Sequence, residues 1–284
     1  MSAPQVIRSP AEMAAWSRAI SAHRDRIAFV PTMGALHAGH AALMREGRGR
    51  GNQLVLSIFV NPTQFGPTED LARYPRTLDA DLALAASVGV DVVYMPDAAA
   101  VYPPGFQTYV DVRDLTRGLC GPFRPDHFTG VATVVAKLFN VVRPDVALFG
   151  EKDYQQLAVI RRMVTDLDMA IEIVGVPTVR EPDGLALSSR NAYLGPSERT
   201  RARSLSRALL SARNQAATGV HDGHILVAQA RALLDVDRLD YLELVDAETL
   251  APVTHIDRTA VMAVAAFIGR TRLIDNVRIP GRLA

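Results

Sequence analysis

The sequence predicts an α/β fold, with a Rossmann-like, doubly wound parallel sheet followed by a smaller C-terminal α+β domain. Short apolar runs alternate with helical patterns through the first part of the chain, and that alternation is typical of a parallel sheet with crossover helices. After Gly195 the order changes, because two helical patterns are followed by three strand patterns. We therefore predict a first domain over residues 1–177 and a second over residues 178–284, with the boundary near Val176–Arg180.

Six apolar runs in the first domain are predicted strands, because each is short and continuous. They are Gln5–Ile7, Ile27–Val30, Gln53–Val60, Asp91–Met95, Asp145–Phe149 and Ile171–Val176. Pro31 is expected to end the second of them.

Helical patterns lie between these runs. Ser9 as the N-cap, Pro10 at the first helical position and Glu12 as a capping-box acid predict a helix start. The predicted helices are 10–23, 39–48, Leu78–Val88, Val131–Val142 and Tyr154–Asp166. Residues 99–111 and 113–129 are expected to be irregular, and the almost wholly apolar helix 131–142 is expected either in the core or at an interface.

The second domain is predicted to hold two helices and then three strands, an order that suits a small α+β domain. The helices are Pro196–Ala217 and Asp222–Leu234, and the strands are Leu239–Val245, Ala260–Phe267 and Thr271–Val277.

Composition excludes several classes of function. The chain has 284 residues and a formal net charge of +1, which argues against a surface built for nucleic acid or an anionic membrane. Cys120 is the only cysteine, so no internal disulfide is possible and a reducing compartment is expected. No apolar run approaches a membrane span and no apolar leader is visible, so we expect a cytoplasmic protein.

The first candidate site is the segment that follows the strand Ile27–Val30. A strand, a glycine-containing loop and a helix start form an anion site, since free backbone N–H groups and the helix dipole point at the ligand. His37 and His40 lie about one turn apart and are expected to face the same anion, which favours a polyphosphate site. His-x-x-His pairs also bind metals, and loop histidines are often ordinary surface residues, so those interpretations stay open.

Polar residues follow other strands at the same predicted edge of the sheet. Asn61 and Gln64 are neutral amides that follow the third strand, although Asn61 also suits a turn. Gly150–Asp153 repeats the strand, glycine and helix-start pattern and adds Lys152 for a phosphate, and Asp153 suits a ribose hydroxyl or a helix N-cap. Ser188, Ser189 and Arg190 offer further phosphate donors. Arg124 and His127 either add positive charge near phosphates or belong to a solvated loop.

Seven segments together resemble the pantothenate synthetase (pantoate–β-alanine ligase) family over nearly the whole chain. The segments are PTMGALHAGH, SIFVNPTQFG, RPDHFTGVATVVAKLFNVVRPD, FGEKDYQQL, GLALSSRNAYL, DYLELVDAETL and GRTRLIDNV. The His-x-Gly-His pattern alone indicates the wider nucleotidyltransferase superfamily. The chain departs from the family at Cys120, where glutamate is frequent, and at Asp126, where glycine is frequent.

The resemblance implies a two-step ligation that uses ATP with Mg²⁺ on its phosphates, and no other cofactor or protein-bound metal site. Pantoate would form pantoyl adenylate and release pyrophosphate, and β-alanine would then displace AMP. The resemblance also implies a homodimer and a second domain whose Ser-Ser-Arg loop acts as a lid.

Roles carried over by the resemblance cover three sets of residues. The catalytic set is His40, His37, Lys152 and Arg190. The substrate-binding set for pantoate and β-alanine is Gln64 and Gln156. The ATP-binding set is Met33, Gly34, Ala35, Leu36, His37, Ala38, Gly39, His40, Gly150, Glu151, Lys152, Asp153, Val179, Leu187, Ser188, Ser189 and Arg190.

Two other functions compete with this one. A cofactor adenylyltransferase would transfer AMP onto a phosphate, and the paired glutamines argue against it because such an acceptor calls for more Arg or Lys. A non-catalytic nucleotide-binding or tRNA-binding module is disfavoured by the near-zero net charge and by the intact His37, His40, Lys152 and Arg190.

Overall fold

The computed structural model describes residues 3–67 and 69–281, which form two compact units. Unit 1 comprises the described part of Met1–Arg113 with Arg124–Glu151 and Gln156–Pro177, and unit 2 comprises Asp114–Phe123, Lys152–Gln155 and the described part of Thr178–Ala284. Two short segments of the predicted first domain therefore belong to unit 2. The outer limits of the two predicted domains, residues 1 and 284, lie outside the described residues.

Unit 1 contains the parallel sheet, which confirms the predicted fold class. Its six strands lie in the order β1-β4-β3-β2-β5-β6, and every pair is parallel. The strands are β1 Gln5–Ile7, β2 Ile27–Thr32, β3 Gln53–Ile58, β4 Val92–Tyr94, β5 Val146–Gly150 and β6 Glu172–Val176. The chain begins at one edge with β1, then forms β2 and β3 at the centre and continues to β4 on one side and to β5 and β6 on the other, so β2 and its loop sit at the switch point where such sheets bind ligands.

The prediction that Pro31 ends β2 was wrong. The strand continues to Thr32, and Pro31 pairs with Ser57 of β3. Pairing of β2 with β5 reaches only Ala28 and Phe29. The hydrogen bonds between β2 and β5 therefore end before Pro31, so the missing N–H of proline removes no hydrogen bond to β5.

Among the described residues, six α-helices accompany the parallel sheet, and all but the first two residues of the sixth lie in unit 1. They are α1 Pro10–Ala22, α2 Ala38–Arg48, α3 Leu78–Val88, α4 Ala98–Val101, α5 His127–Val142 and α6 Tyr154–Asp166. The short helix α4 replaces part of a segment expected to be irregular. Helix α5 begins at His127, four residues before its predicted start at Val131. The extra turn contains Gly130, which lies against the main chain of Thr63. A Cβ at Gly130 would lie 2.4 Å from the Thr63 carbonyl oxygen, so glycine permits this close approach.

Helix α5 is a core helix of unit 1. Val131 is 2% exposed and Phe139 is 3% exposed in the single chain. The Phe139 ring contacts Phe29 of β2 and Phe149 of β5 edge-on, with ring centroids 6.3 and 6.4 Å apart. Of the two places predicted for this helix, the core is therefore correct.

Unit 2 contains the antiparallel sheet β7-β8-β9 and two helices, as predicted. The elements are α7 Pro196–Ala217, α8 Gly223–Ala232, β7 Arg238–Asp246, β8 Ala260–Ile268 and β9 Thr271–Ile279. Leu205 and Leu209 of α7 pack with Val264 and Leu273 of the sheet in one apolar cluster. Among residues 3–67 and 69–281, no helix combines the length and apolar character needed to span a membrane.

Candidate active site

The junction between β2 and α2 is closed by its two histidines. His37 is the N-cap of α2, and its Nδ1 accepts a hydrogen bond from the Gly39 N–H at 3.1 Å. His40 reaches back, and its Nδ1 accepts from the His37 N–H at 3.2 Å. The pair forms a reciprocal capping box in which imidazole nitrogens replace the usual hydroxyl and carboxylate oxygens.

This capping fixes which nitrogen of each histidine carries the proton. A backbone N–H only donates, so each Nδ1 is an acceptor and each neutral imidazole carries its proton on Nε2. The two ring centroids lie 4.2 Å apart. The arrangement therefore provides two Nε2–H donors at the positive end of α2, a combination suited to negatively charged oxygen.

The buried carboxylate of Asp81, on α3, holds the loop before these histidines. It accepts from the Ala35 N–H at 2.9 Å and from the Leu36 N–H at 2.8 Å, and it is 2% exposed. Gly34 and Ala35 both have positive φ, 83° and 51°, a conformation that is unfavourable for alanine. Asp81 thus stabilises a strained turn.

The expectation of free backbone N–H groups at this loop was therefore wrong for five of its residues. The N–H groups of Gly34, Ala35, Leu36, His37 and Gly39 all donate within the protein. The physical reason is that the side chains of Thr32, Asp81 and the two histidines satisfy the orphan donors that precede and begin the helix. Most main-chain donors of this loop are therefore used within the protein.

Gln64 lies just beyond β3, in a short 3₁₀ turn that Asn61 caps. Asn61 is 1% exposed, and its Nδ2 lies 3.1 Å from the Gly130 carbonyl oxygen and 3.0 Å from Gln64 Oε1. A carbonyl only accepts, so the nitrogen of Asn61 must face Gly130. The same nitrogen then donates to Gln64, whose oxygen must face Asn61.

The opposite end of Asn61 agrees with this orientation. Its Oδ1 accepts from the Thr63 hydroxyl at 3.0 Å and from the Tyr102 hydroxyl at 2.8 Å. Burial raises the pKa of Tyr102 above its usual value, so the phenol stays a donor. Gln64 therefore presents its amino group away from Asn61, and Nε2 lies 3.1 Å from Sδ of Met33. A predicted substrate residue and a predicted ATP residue are in contact.

Arg124 and His127 contact the main chain of Gln64. Arg124 Nη2 donates to the Gln64 carbonyl oxygen at 3.2 Å, and His127 Nδ1 lies 2.8 Å from the same oxygen. Arg124 also binds both carboxylate oxygens of Glu69, each at 2.6 Å. Burial raises the pKa of Glu69, but the hydrogen bonds and charge of Arg124 outweigh it and hold that pKa below its usual value. The solvated-loop alternative is wrong for Arg124, because its side chain pairs with Glu69 and is only 16% exposed.

Lys152 and Asp153 lie in unit 2, in a short 3₁₀ turn before α6. The Lys152 carbonyl oxygen accepts from Asn276 Nδ2 of β9 at 2.8 Å. Its Nζ is 3.7 Å from a carboxylate oxygen of Asp153. The neighbouring Asp275 forms a two-bond ion pair with Arg180 at 2.6 and 2.9 Å. The end of β9 therefore fixes the main chain of the predicted phosphate lysine.

The predicted adenine and triphosphate residues of unit 2 share one hairpin. The Leu187 N–H donates to the Val179 carbonyl at 3.0 Å. Ser188 then caps the turn that contains Ser189 and Arg190, with its hydroxyl accepting from the Arg190 N–H at 3.2 Å. The sequence predicted these residues singly, and the structure brings them together.

The remaining predicted residues lie in unit 1, at the carboxyl end of β5 and at the start of α6. Gly150 ends β5, and a Cβ built there meets no atom within 4 Å, so the approach to this main chain is open. Glu151 and Gln156 are half-buried. The structure thus divides the predicted ATP residues between the two units.

The two departures from the family pattern have separate local effects. Asp126 adopts a positive φ of 61° directly before α5. The Cys120 N–H donates to Gln155 Oε1 at 3.0 Å, and the amide nitrogen of Gln155 binds the carbonyl oxygens of Leu115 and Gly118, each at 2.9 Å. Gln155 therefore holds the loop that carries Cys120.

The structure also bears on metal binding by the histidine pair. Within the described part of the chain, no group of three or more His, Cys, Asp and Glu side chains is arranged to hold a metal ion. Both Nδ1 atoms already accept backbone N–H groups.

Sequence reasoning missed Asp81 and Asn276 and left Asn61 undecided. Asp81 stood in the first turn of a correctly predicted helix, where an acid suggests only a favourable interaction with the helix dipole. Asn276 lay inside a predicted strand. Their partners are 45 and 124 residues away along the chain, so no local pattern pointed to them.

The fold and this site define the class of protein. A doubly wound parallel sheet with a histidine-capped helix after its central strand is the arrangement of the His-x-Gly-His nucleotidyltransferase superfamily. The family model described as pantoate-beta-alanine ligase matches residues 5–278. The chain belongs to the pantoate–β-alanine ligase family.

Relatives from several organisms are similar over nearly the whole chain. The pantothenate synthetase of Anaeromyxobacter dehalogenans (strain 2CP-C) is 58% identical over 292 residues, which span 99% of this chain and 100% of the relative. The crystal structure of pantothenate synthetase from Thermus thermophilus has a TM-score of 0.92 and 47% identity, covering 97% of this chain and 99% of that one. The pantoate-beta-alanine ligase of Francisella tularensis, complexed with beta-gamma ATP and beta-alanine, has a TM-score of 0.78 and 31% identity, covering 97% of each chain.

Proposed function

We propose that this chain condenses (R)-pantoate with β-alanine to form pantothenate, using ATP and a pantoyl-adenylate intermediate. A pantoate carboxylate oxygen bonds to the α-phosphorus of ATP, and the bond to pyrophosphate breaks. The amine of β-alanine then attacks the acyl carbon. The bond to AMP breaks, and the amine releases its proton to solvent.

The observation that carries this proposal is the fixed polarity of Gln64. Asn61 Nδ2 occupies its oxygen at 3.0 Å, so Gln64 offers N–H donors to a ligand. A donor calls for an acceptor such as a carboxylate oxygen. A neutral amide holds that carboxylate without the strong pairing of an arginine, which leaves the oxygen reactive as a nucleophile.

The phosphate side of the proposal uses His37, His40, Lys152 and Arg190. The Nε2–H groups of both histidines are fixed as donors by the capping of α2. Donors held in place before the reaction stabilise charge that develops on phosphate oxygens in the transition state. The Francisella relative, described with an ATP analogue and β-alanine, supports ATP and β-alanine as ligands of this family.

The binding assignments form part of the proposal. Met33 to His40 and Gly150 to Asp153 would bind ATP, together with Val179 and the segment Leu187–Arg190. Gln64 and Gln156 would bind pantoate and β-alanine. Mg²⁺ would accompany the ATP phosphates, since the chemistry of a triphosphate calls for a hard divalent cation.

Three further properties complete the proposal. A homodimer and a cytoplasmic location are expected from the family, and a single cysteine fits a reducing compartment. We also propose that the loop Leu187–Arg190 acts as a lid that excludes water from the adenylate.

ATP–pyrophosphate exchange tests the proposal directly. The protein is incubated with ATP, Mg²⁺ and labelled pyrophosphate, with and without pantoate, in the absence of β-alanine. Exchange that requires pantoate is expected, because labelled pyrophosphate enters ATP when the acyl adenylate forms and then reacts back with pyrophosphate. Folded protein that binds ATP but shows no pantoate-dependent exchange would contradict the proposal and favour an adenylyltransferase or a binding module.

A further inference from the structure

We propose that His127, Arg124 and Glu69 act together as positioning residues for Gln64, and we name these three residues the Gln64 clamp. The inference rests on the proposed function, since it takes Gln64 as a pantoate-binding residue. None of the three is assigned to contact substrate. Their role would be to fix the main chain from which the Gln64 side chain projects.

The contacts of the clamp determine its protonation. Arg124 Nη1 lies 3.1 Å from His127 Nε2, and a guanidinium only donates, so Nε2 of His127 must accept. The proton of the neutral imidazole then sits on Nδ1, which lies 2.8 Å from the Gln64 carbonyl oxygen. His127 therefore donates to Gln64 and accepts from Arg124.

Glu69 completes the clamp by neutralising Arg124. The two side chains meet in a two-bond pair, and they are only 16% and 23% exposed. Engaged in this way, the guanidinium is held for Gln64 and does not pair with an anionic ligand. Because Glu69 offsets the charge of Arg124, the clamp positions Gln64 without using that guanidinium to bind a reactive carboxylate.

Two independent sets of contacts thus hold Gln64. The clamp binds its main-chain oxygen through His127 and Arg124, whereas Asn61 and Met33 contact its side-chain amide. A displacement of about 1 Å at a positioned group is enough to reduce a rate about 100-fold. Loss of the main-chain contacts should therefore weaken pantoate use even though the amide itself remains.

Two substitutions of His127 separate its two hydrogen bonds. In His127→Asn, the amide nitrogen takes the place of Nδ1 and keeps the donor to Gln64. In His127→Gln, the amide oxygen takes the place of Nε2, which keeps the acceptor for Arg124 and loses the donor to Gln64. The two variants therefore form a matched pair in which only one contacts Gln64.

The assay is pantoate-dependent ATP–pyrophosphate exchange on the full chain, with Gln64→Ala and the double variant Gln64→Ala/His127→Gln measured beside the two His127 variants. We expect His127→Gln to raise the KM for pantoate about tenfold while the KM for ATP changes less than about twofold, the effect of one lost hydrogen bond. His127→Asn should retain most of the wild-type KM. The double variant should be no worse than Gln64→Ala, because the clamp acts only through Gln64.

The outcomes distinguish failure of the inference from failure of the proposed function. If Gln64→Ala leaves the KM for pantoate unchanged, the pocket assignment is wrong and the inference falls with it. If Gln64→Ala raises that KM but His127→Gln does not, only the clamp is overturned. A His127→Gln variant that lowers the melting temperature and weakens ATP and pantoate use equally would reveal a merely structural residue and would also overturn the clamp.

Discussion

Gln64→Glu tests the donor polarity of Gln64 with the smallest change of shape. The variant keeps an oxygen facing Asn61 Nδ2, which lies 3.0 Å from the present Oε1. It replaces only the amino group with a second carboxylate oxygen. The donor proposed to hold the pantoate carboxylate thereby becomes an anion that faces another anion.

The size of the effect follows from Coulomb's law. Two unit charges about 4 Å apart repel by about 4 kcal/mol at an effective dielectric constant of about 20, a value suited to a half-buried side chain such as Gln64. Loss of a hydrogen bond to a charged group adds about 1.5–3 kcal/mol. We therefore expect kcat/KM for pantoate to fall by at least about 1,000-fold, against about 10- to 100-fold for Gln64→Ala, which loses only the bond.

Pantoate-dependent ATP–pyrophosphate exchange, followed from about pH 5 to about pH 8, provides the assay, with circular dichroism as a check of folding. The deficit of Gln64→Glu should shrink as the pH falls, since a protonated glutamate regains an O–H donor. The polarity argument would be refuted if Gln64→Glu were as active as Gln64→Ala at about pH 8. It would also be refuted by a deficit that did not change with pH.

Three other substitutions give separate tests. Asp81→Asn leaves one acceptor for two loop N–H groups, so the loop before Leu36 should loosen, and we expect the KM for ATP to rise about tenfold in steady-state kinetics while that for pantoate changes less. Lys152→Ala should remove about 2–4 kcal/mol of transition-state stabilisation, which is measured as a lower kcat/KM for ATP. An unchanged rate of adenylate formation would disprove the role of Lys152. The pKa of Glu69 is lowered in the folded chain, so pairing with Arg124 stabilises the folded state at pH values above the unfolded pKa of about 4.3. That stabilisation is lost as the pH falls through the pKa of the folded state. The difference in urea unfolding free energy between wild type and Glu69→Gln should accordingly shrink below about pH 4, and a difference that grew there would contradict the pairing.

Most of the fold was predictable because its signals are local. Helix α6 spans Tyr154–Asp166 in the structure, as its spacing predicted, and each predicted strand exists with an end shifted by no more than a few residues. Apolar periodicity decides such elements over five to fifteen residues or so. The exceptions are the short helix α4 and the start of α5, which fall in segments expected to be irregular. The helical conformation at the start of α5 accompanies a close approach to Thr63, which no local pattern encodes.

The sequence proposes residues for the candidate site, and the structure adds which of their atoms accept and which donate. His37, His40 and Gln64 were identified from the strands they follow. The sequence did not reveal that both imidazoles cap their own helix, nor that Asp81 uses two loop N–H groups. Those facts depend on which main-chain N–H groups find a partner within the protein once the chain is folded.

One physical rule connects the supports of the proposed site. Asp81 binds loop N–H groups, Asn276 binds the Lys152 carbonyl oxygen, and the Gln64 clamp binds the Gln64 carbonyl oxygen. Each support uses a main-chain group of the residue it holds, and so it fixes position without using the functional end of the side chain. The orientation of the Gln64 side-chain amide is also determined. The Gly130 carbonyl only accepts, so the nitrogen of Asn61 must face it, and the same nitrogen requires the oxygen of Gln64 to face Asn61. Changing a support should therefore alter the use of one substrate, whereas changing the held side chain should remove the chemistry itself.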